Sequence, residues 1–248
     1  MSLKSVSLSN AVINQYKYKL KAYSGIFTSL VIIQLLGMFF SLNGMGSSGY
    51  STESYSMNIT SYSSNLVIVF TMVWAFMNAL LVTTRAYRED DFTFVTNRLT
   101  YSLSNYAILL TASIIGGVTA FLSSSLINVI AYLTNNIEVF VTINQEIGFM
   151  DYVVGVLATI LFILLCGALG YFIGMVVQLS KIFMMIIPVC FIAFSVPIQR
   201  NGENVFFKLF EFYFQEHSFP LFLLKVLVTI FILSLTAVMM SNRLEVRK

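Results

Sequence analysis

The amino-acid sequence predicts an all-α integral membrane protein: six transmembrane helices, an amphipathic interfacial helix ahead of them, and an outer re-entrant or interfacial helix before the last. Three observations lead there. Of 248 residues, 58% are hydrophobic and 10% charged, whereas soluble domains carry about 25% charged residues. A soluble fold of this length cannot hide so much apolar surface, because most residues of a small domain touch water. The apolar residues also gather in runs near the roughly 20 residues that a helix needs to cross the hydrocarbon core. The basic residues gather in alternate connections between those runs. Fourteen Lys and Arg against eleven Asp and Glu leave +3, too little basic excess for a nucleic-acid partner. A soluble enzyme, a secreted disulfide scaffold and a DNA-binding module are excluded.

Residues 1–22 read as a helix lying on the inner membrane surface. Leu8, Val12, Tyr16 and Leu20 recur every four residues, while Lys17 and Lys21 project to another face. Basic side chains beside an apolar stripe suit an anionic lipid surface; a simple juxtamembrane tail is the alternative. The first apolar run that follows is too long for a signal-peptide core, so no cleavable leader is expected.

The six spans are Tyr23–Leu42, Leu66–Thr84, Tyr106–Leu133, Tyr152–Leu179, Ile182–Ile198 and Phe219–Met240. The fifth is short, contains Pro188 and ends near Pro197, which a spanning helix tolerates where neighbours re-satisfy the freed carbonyl. With the N-terminus inside, the inner segments hold Lys4, Lys17, Lys19, Lys21, Arg85, Arg88, Arg98, Lys181, Arg243, Arg247 and Lys248. The outer ones hold Arg200, Lys208 and Lys225. That bias sets both termini in the cytoplasm of a plasma-membrane protein.

The span interiors lack Asp and Glu near their midpoints, and Lys225 is expected to snorkel to the outer interface. Ion-driven carriers usually hold their coupling ion with an intramembrane carboxylate or a broken helix. Cys166 and Cys190 fall in apolar runs and read as small hydrophobes. One His and two Cys do not make a four-ligand zinc site.

Between the spans, Asn43–Asn65 is rich in Gly, Ser and Tyr and reads as a weakly structured outer loop. In residues 199–218, Asn204, Lys208, Glu211 and Gln215 fall on one helical face and aromatic residues fill the rest. Such a helix belongs at an interface or dips into the outer leaflet; an aromatic belt anchoring the sixth span is the alternative. Ala112, Gly116, Ala120 and Ser124 repeat every four residues in the third span, as do Cys166, Gly170 and Gly174 in the fourth. Small residues at this spacing let backbones approach, and the two rows are expected to face each other. On the second span, Phe70, Trp74, Met77 and Asn78 are candidate pathway residues, with simple helix packing as the alternative.

The most charged connection is 85–105. Its Glu89, Asp90 and Asp91 suit the N-terminal end of a short helix, where the helix dipole favours negative charge. Phe92 and Val95 would then share a face and dock on a partner; a solvated loop whose Arg residues merely obey topology is the other reading.

Six spans, an amphipathic start, this charged connection and an aromatic segment before the last span together resemble the ABC-2 family of exporter permeases. The likeness covers the whole chain in architecture. Its local motif is an Arg/Glu-rich stretch, a Gly, an apolar helix and a Pro-containing turn. Arg88-Glu89-Asp90 matches the start, Asp91 stands where the Gly would be, and Leu99-Thr100 where the Pro turn would be. The resemblance implies a short cytoplasmic coupling helix contacting an ATPase subunit through Arg85, Arg88, Glu89, Asp90, Asp91, Phe92, Phe94, Val95 and Arg98. It also implies two ATPase subunits, and a second permease, identical or related, with spans one, two and five near the centre. The short Ile-, Ser- and Asn-rich sequence is similar to small Gram-positive permeases, including those exporting amphipathic peptides such as phenol-soluble modulins.

No Gly-Lys pair occurs, so the chain has no P-loop; ATP and magnesium would sit on the partner subunit, with no cofactor on this chain. The expected function is an ATP-driven exporter of an amphipathic or hydrophobic substrate. A non-transporting sensor or immunity component is the rival reading. An intramembrane enzyme fits less well: His217 is the only histidine, no Gly-x-Ser-x-Gly elbow occurs, and Glu89–Asp91 faces no second acidic cluster.

Overall fold

The computed structural model describes residues 7–42, 46–52, 55–61, 63–84, 86–87, 98–134, 148–195, 208, 211–213, 215–216 and 218–243. In chain order these form helices α1 (Leu8–Ala22) and α2 (Gly25–Leu42), strands β1 (Gly46–Thr52) and β2 (Tyr55–Ser61), then α3 (Asn65–Val82), α4 (Arg98–Thr134), α5 (Phe149–Leu179), α6 (Lys181–Ser195) and α7 (Phe219–Arg243). Among the described residues, five segments are long and apolar enough to cross a membrane: Gly25–Leu42, Asn65–Val82, Leu99–Leu133, Phe149–Leu179 and Phe219–Ser241. The chain is a helical, multi-pass membrane protein.

The remaining expected span corresponds to α6, which has 15 residues and carries Pro188 inside it. At 1.5 Å per residue it reaches about 22 Å, short of a hydrocarbon core of roughly 30 Å; residues 196–198 lie outside the described residues. It packs on α5, and Met184, Met185 and Val189 are exposed.

Two further elements differ from expectation. The Gly- and Ser-rich segment after α2 is an antiparallel hairpin, with β1 and β2 in register from Gly46 opposite Ser61 to Thr52 opposite Tyr55. Its Tyr, Thr and Ile residues favour a pleated surface and outweigh the turn-forming residues around them. Helix α4 begins at Arg98, eight residues before Tyr106, where the third span was expected to start. Its first turns are rich in Ser, Thr and Asn, which read as a loop because such side chains compete with the helix backbone. Here Thr100, Ser102, Ser104 and Asn105 are buried against neighbouring elements.

Helix α3 is the hub, with α2, α4 and α5 all packed on it. Leu30, Trp74, Ala75, Ala112 and Ile163 bring these four helices into one cluster. Nearer one end, Ala79, Leu109, Tyr171, Met175 and Ala237 join α3, α4, α5 and α7. The two rows of small residues do not face each other. Gly116 lies against Thr71 and Leu30, and Gly170 and Gly174 lie against Phe76 and Thr83. Both rows therefore admit α3 or its C-terminal turn, and Ala112 and Ala120 are likewise buried with α3 residues. The direct α4–α5 approach runs instead through Gly117, close to the Ile160 backbone, and Gly155, close to the Phe121 ring. A small-residue row only requires that some neighbour come near it; α3 reaches both, with the Thr71 methyl at Gly116 and the Phe76 backbone at Gly170.

A buried amide ties the hub laterally. Gln34 Nε2 donates to Thr71 Oγ1 at 3.3 Å and to the Gly116 carbonyl at 3.1 Å. Thr71 Oγ1 in turn donates to the Val67 carbonyl at 2.7 Å. Interhelical hydrogen bonds in membrane proteins are worth about 0.6 kcal/mol, up to about 1.7. Gln34→Leu is thus expected to lower unfolding free energy within that range, read by denaturant unfolding in mixed micelles, with Thr71→Val non-additive in a double-mutant cycle.

Candidate functional site

The four residues proposed for a pathway on α3 are not brought together. Trp74 is buried, and its indole N–H donates to Ser29 Oγ at 2.9 Å. Ser29 Oγ passes the bond on to the Ile26 carbonyl at 2.7 Å. Asn78 Nδ2 donates to the Trp74 carbonyl one turn back, at 2.8 Å. Trp74 and Asn78 share a cavity of only about 10 Å³ with Ala112 and Ser113, room for about one water molecule. Phe70 stacks on Phe40 with ring centroids 6.0 Å apart, and Met77 is 55% exposed. Trp74 therefore belongs to the packed interior and lines no wide passage among the described residues.

The cluster with the most chemistry lies where α1 meets α4. Lys19 on α1 is fully buried. Its ammonium donates to Asn105 Oδ1 on α4 and sits 4.5 Å from the centroid of the Tyr101 ring, within cation–π range. Asn105 Nδ2 reaches the Tyr171 hydroxyl on α5 at 3.5 Å. The Tyr101 hydroxyl donates to the Val82 carbonyl, the last residue of α3, at 3.2 Å. One lysine thus joins α1 to three helices of the bundle. The apolar stripe expected to seat α1 flanks the contact; Val12, Tyr16 and Leu20 are half-buried and Leu8 is exposed, while Gln15 and Lys19 are the buried residues. The sequence signal was confined to one helix, whereas the partners that make a buried lysine tolerable lie 86 residues away.

The charged connection leaves and re-enters the bundle beside the same helix. Tyr87 packs edge-on against Tyr23, directly after α1, with centroids 5.1 Å apart. Arg98 opens α4 about two turns before Asn105. Of the residues proposed for ATPase contact, Arg85, Arg88, Glu89, Asp90, Asp91, Phe92, Phe94 and Val95 lie outside the described residues, as does the side chain of Arg98.

At the opposite end of α7 is a second polar group. Lys225 forms an ion pair with Glu216 and lies 4.2 Å from the Phe212 ring centroid, so the preceding segment anchors it. Tyr213 and Thr229 share a hydrogen bond of 2.9 Å. Thr229 is ten residues into α7, about 15 Å along it, so the chain before α7 folds back along the helix. Three of the four residues expected on a polar stripe, Lys208, Glu211 and Gln215, line an open recess of about 420 Å³ with Phe212, Glu216 and Lys225. Asn204 and His217 lie outside the described residues. Cys166 is a free cysteine of intermediate burial.

The fold and these clusters define a multi-pass helical membrane protein in which Lys19 and the Lys225–Glu216 pair lie in two separate polar clusters. No family model, curated protein or solved structure matches the chain.

Proposed function

We propose that this chain is the transmembrane permease subunit of an ATP-driven exporter, with a separate ATPase supplying the energy and a second permease completing the pathway. The observation that carries this reading is the way the charged connection is bracketed. Tyr87 at its start meets Tyr23, and Asn105 shortly after its end meets Lys19. Displacement of the 85–97 segment would therefore be felt by α1, by the end of α3 and by the base of α4 together. That is what a conformational switch driven from an external partner requires.

Two features agree with it. The spans carry no carboxylate near their midpoints on which to hold a coupling ion. The small cavity beside Trp74 is far below the roughly 300–1,000 Å³ of ordinary ligand pockets, so a passage would form between two copies or between related permeases. In this arrangement six membrane helices count α6 as the fifth, the folded-back segment before α7 is the outer re-entrant element, and both termini face the cytoplasm of the plasma membrane. The cargo is amphipathic or apolar, of the kind offered by peptides, toxins, drugs or lipids.

Charge reversal at Arg88 or Glu89 is expected to reduce ATPase co-purification and permease-stimulated ATP turnover by about tenfold or more, as for a desolvated charge pair at an interface. Retention of both after replacing residues 85–98 with alanine would end the coupling role. Solute pumping by the purified chain alone in liposomes, under a proton or sodium gradient, would end the exporter reading.

A further inference from the structure

The contact between α1 and α4 holds more polar groups than it satisfies. Gln15 is 5% exposed, and neither its amide nitrogen nor its amide oxygen has a hydrogen-bond partner among the described residues. Ser102 on α4 is 1% exposed and its hydroxyl is likewise unpartnered. Gln15 lies one turn before Lys19 on the buried face of α1, and Ser102 lies one turn before Asn105, which Lys19 contacts. Buried groups of this kind are satisfied in native proteins by water or by a ligand, since leaving them bare costs several kcal/mol.

Position and chemistry together define the ligand. The apolar window of α4 begins at Leu99, so Ser102 and Asn105 lie in its first two turns, and α1 precedes the first apolar span. This contact therefore sits where the apolar window starts, at headgroup height. Its unpartnered donors are the two amide protons of Gln15 and the hydroxyl proton of Ser102; its acceptors are the Gln15 amide oxygen and the Ser102 hydroxyl oxygen. Lys19 already has its partners and contributes only its positive field. The complement to this set is an anion with several oxygens and at least one hydroxyl of its own.

We infer that the α1–α4 contact holding Gln15, Lys19 and Ser102 opens to bind a hydroxyl-bearing phosphodiester, supplied by an anionic phospholipid headgroup. The inference does not rest on the exporter reading, because it concerns how α1 is seated and not what the protein moves. Lipid bound here bridges α1 to α4, and the exposed Lys17 and Lys21 flank it on the same surface helix.

The full-length protein in detergent tests this by native mass spectrometry and thermal unfolding with three probes: phosphatidylglycerol, phosphatidylcholine and free glycerol 3-phosphate. The expected result is one phosphatidylglycerol retained per chain, with affinity about tenfold above phosphatidylcholine and a raised unfolding temperature. Gln15→Leu and Ser102→Ala should each remove about tenfold of that preference, in line with the loss of a charge-assisted hydrogen bond. Gln15→Leu fills the same space without the amide, and Ser102→Ala removes one oxygen, so at least one folded variant is expected. Equal retention of the two lipids, or a preference unchanged in both variants, overturns the assignment and leaves the contact to water. Stronger protection by glycerol 3-phosphate than by the lipid overturns the headgroup as the source.

Discussion

Gly170→Leu is expected to prevent the helical body from closing, with monodisperse protein lost in size-exclusion chromatography. Gly170→Ala should already lower stability, by about 1–3 kcal/mol for overpacking a filled site. A Cβ at Gly170 would overlap the Phe76 carbonyl oxygen and come within 3.0 Å of the Phe76 Cα. The obstacle is backbone of the hub helix, which cannot turn aside as a side-chain tip can. Gly167→Ala is the internal control, since its Cβ would meet only Leu109 Cδ2 at 3.9 Å, an ordinary contact. It should unfold like the parent protein. Equal losses at the two positions would show that the approach of α3 to Gly170 does not govern this face, since alanine is the better helix former at both.

Asn105→Ala should destabilise the protein by about 3 kcal/mol, the scale for removing one partner of a buried charge. Lys19→Met should cost less, about 1–2 kcal/mol for a neutral hydrogen bond lost at one end. The difference in expected size is physical. Alanine at 105 leaves an ammonium buried beside Tyr101 with Oδ1 gone, whereas methionine at 19 removes the charge and keeps most of the apolar stem. Asn105 then retains its contact with the Tyr171 hydroxyl. Thermal unfolding of the three proteins in one detergent checks the ranking, and a larger loss for Lys19→Met would mean that the ammonium does more than tolerate its site.

Much of the helical architecture was legible because the lipid-facing surface imposes a crude rule. Runs of apolar residues near 20 long mark spans whatever packs on them, and Leu66–Thr84 became Asn65–Val82 with only its ends shifted. The polar stripe of Lys208, Glu211 and Gln215 was legible for the same kind of reason, since periodicity on one helix needs no knowledge of its neighbours. What escaped was pairwise. Which helix Gly170 faces depends on where α3 lies, and no spacing within α5 encodes that. Lys19 was read as one more basic residue of an inner surface, because its burial depends on Asn105 and Tyr101. The start of α4 was missed because Ser102, Ser104 and Asn105 carry loop-forming preferences that burial overrides. The hairpin after α2 was missed because its strands alternate weakly and the glycines among them weighed toward a turn.

The grip of glycine contacts on α3 has a mechanical consequence. A shaft whose neighbours reach down to its main chain cannot slide or roll without opening gaps too small for solvent to fill, and such gaps forfeit dispersion energy on every side. Helices α2 to α5 must then travel as a single stiff piece. Any large rearrangement has to be taken up at the margins, by the short Pro-bearing α6 and by the strap that doubles back along α7.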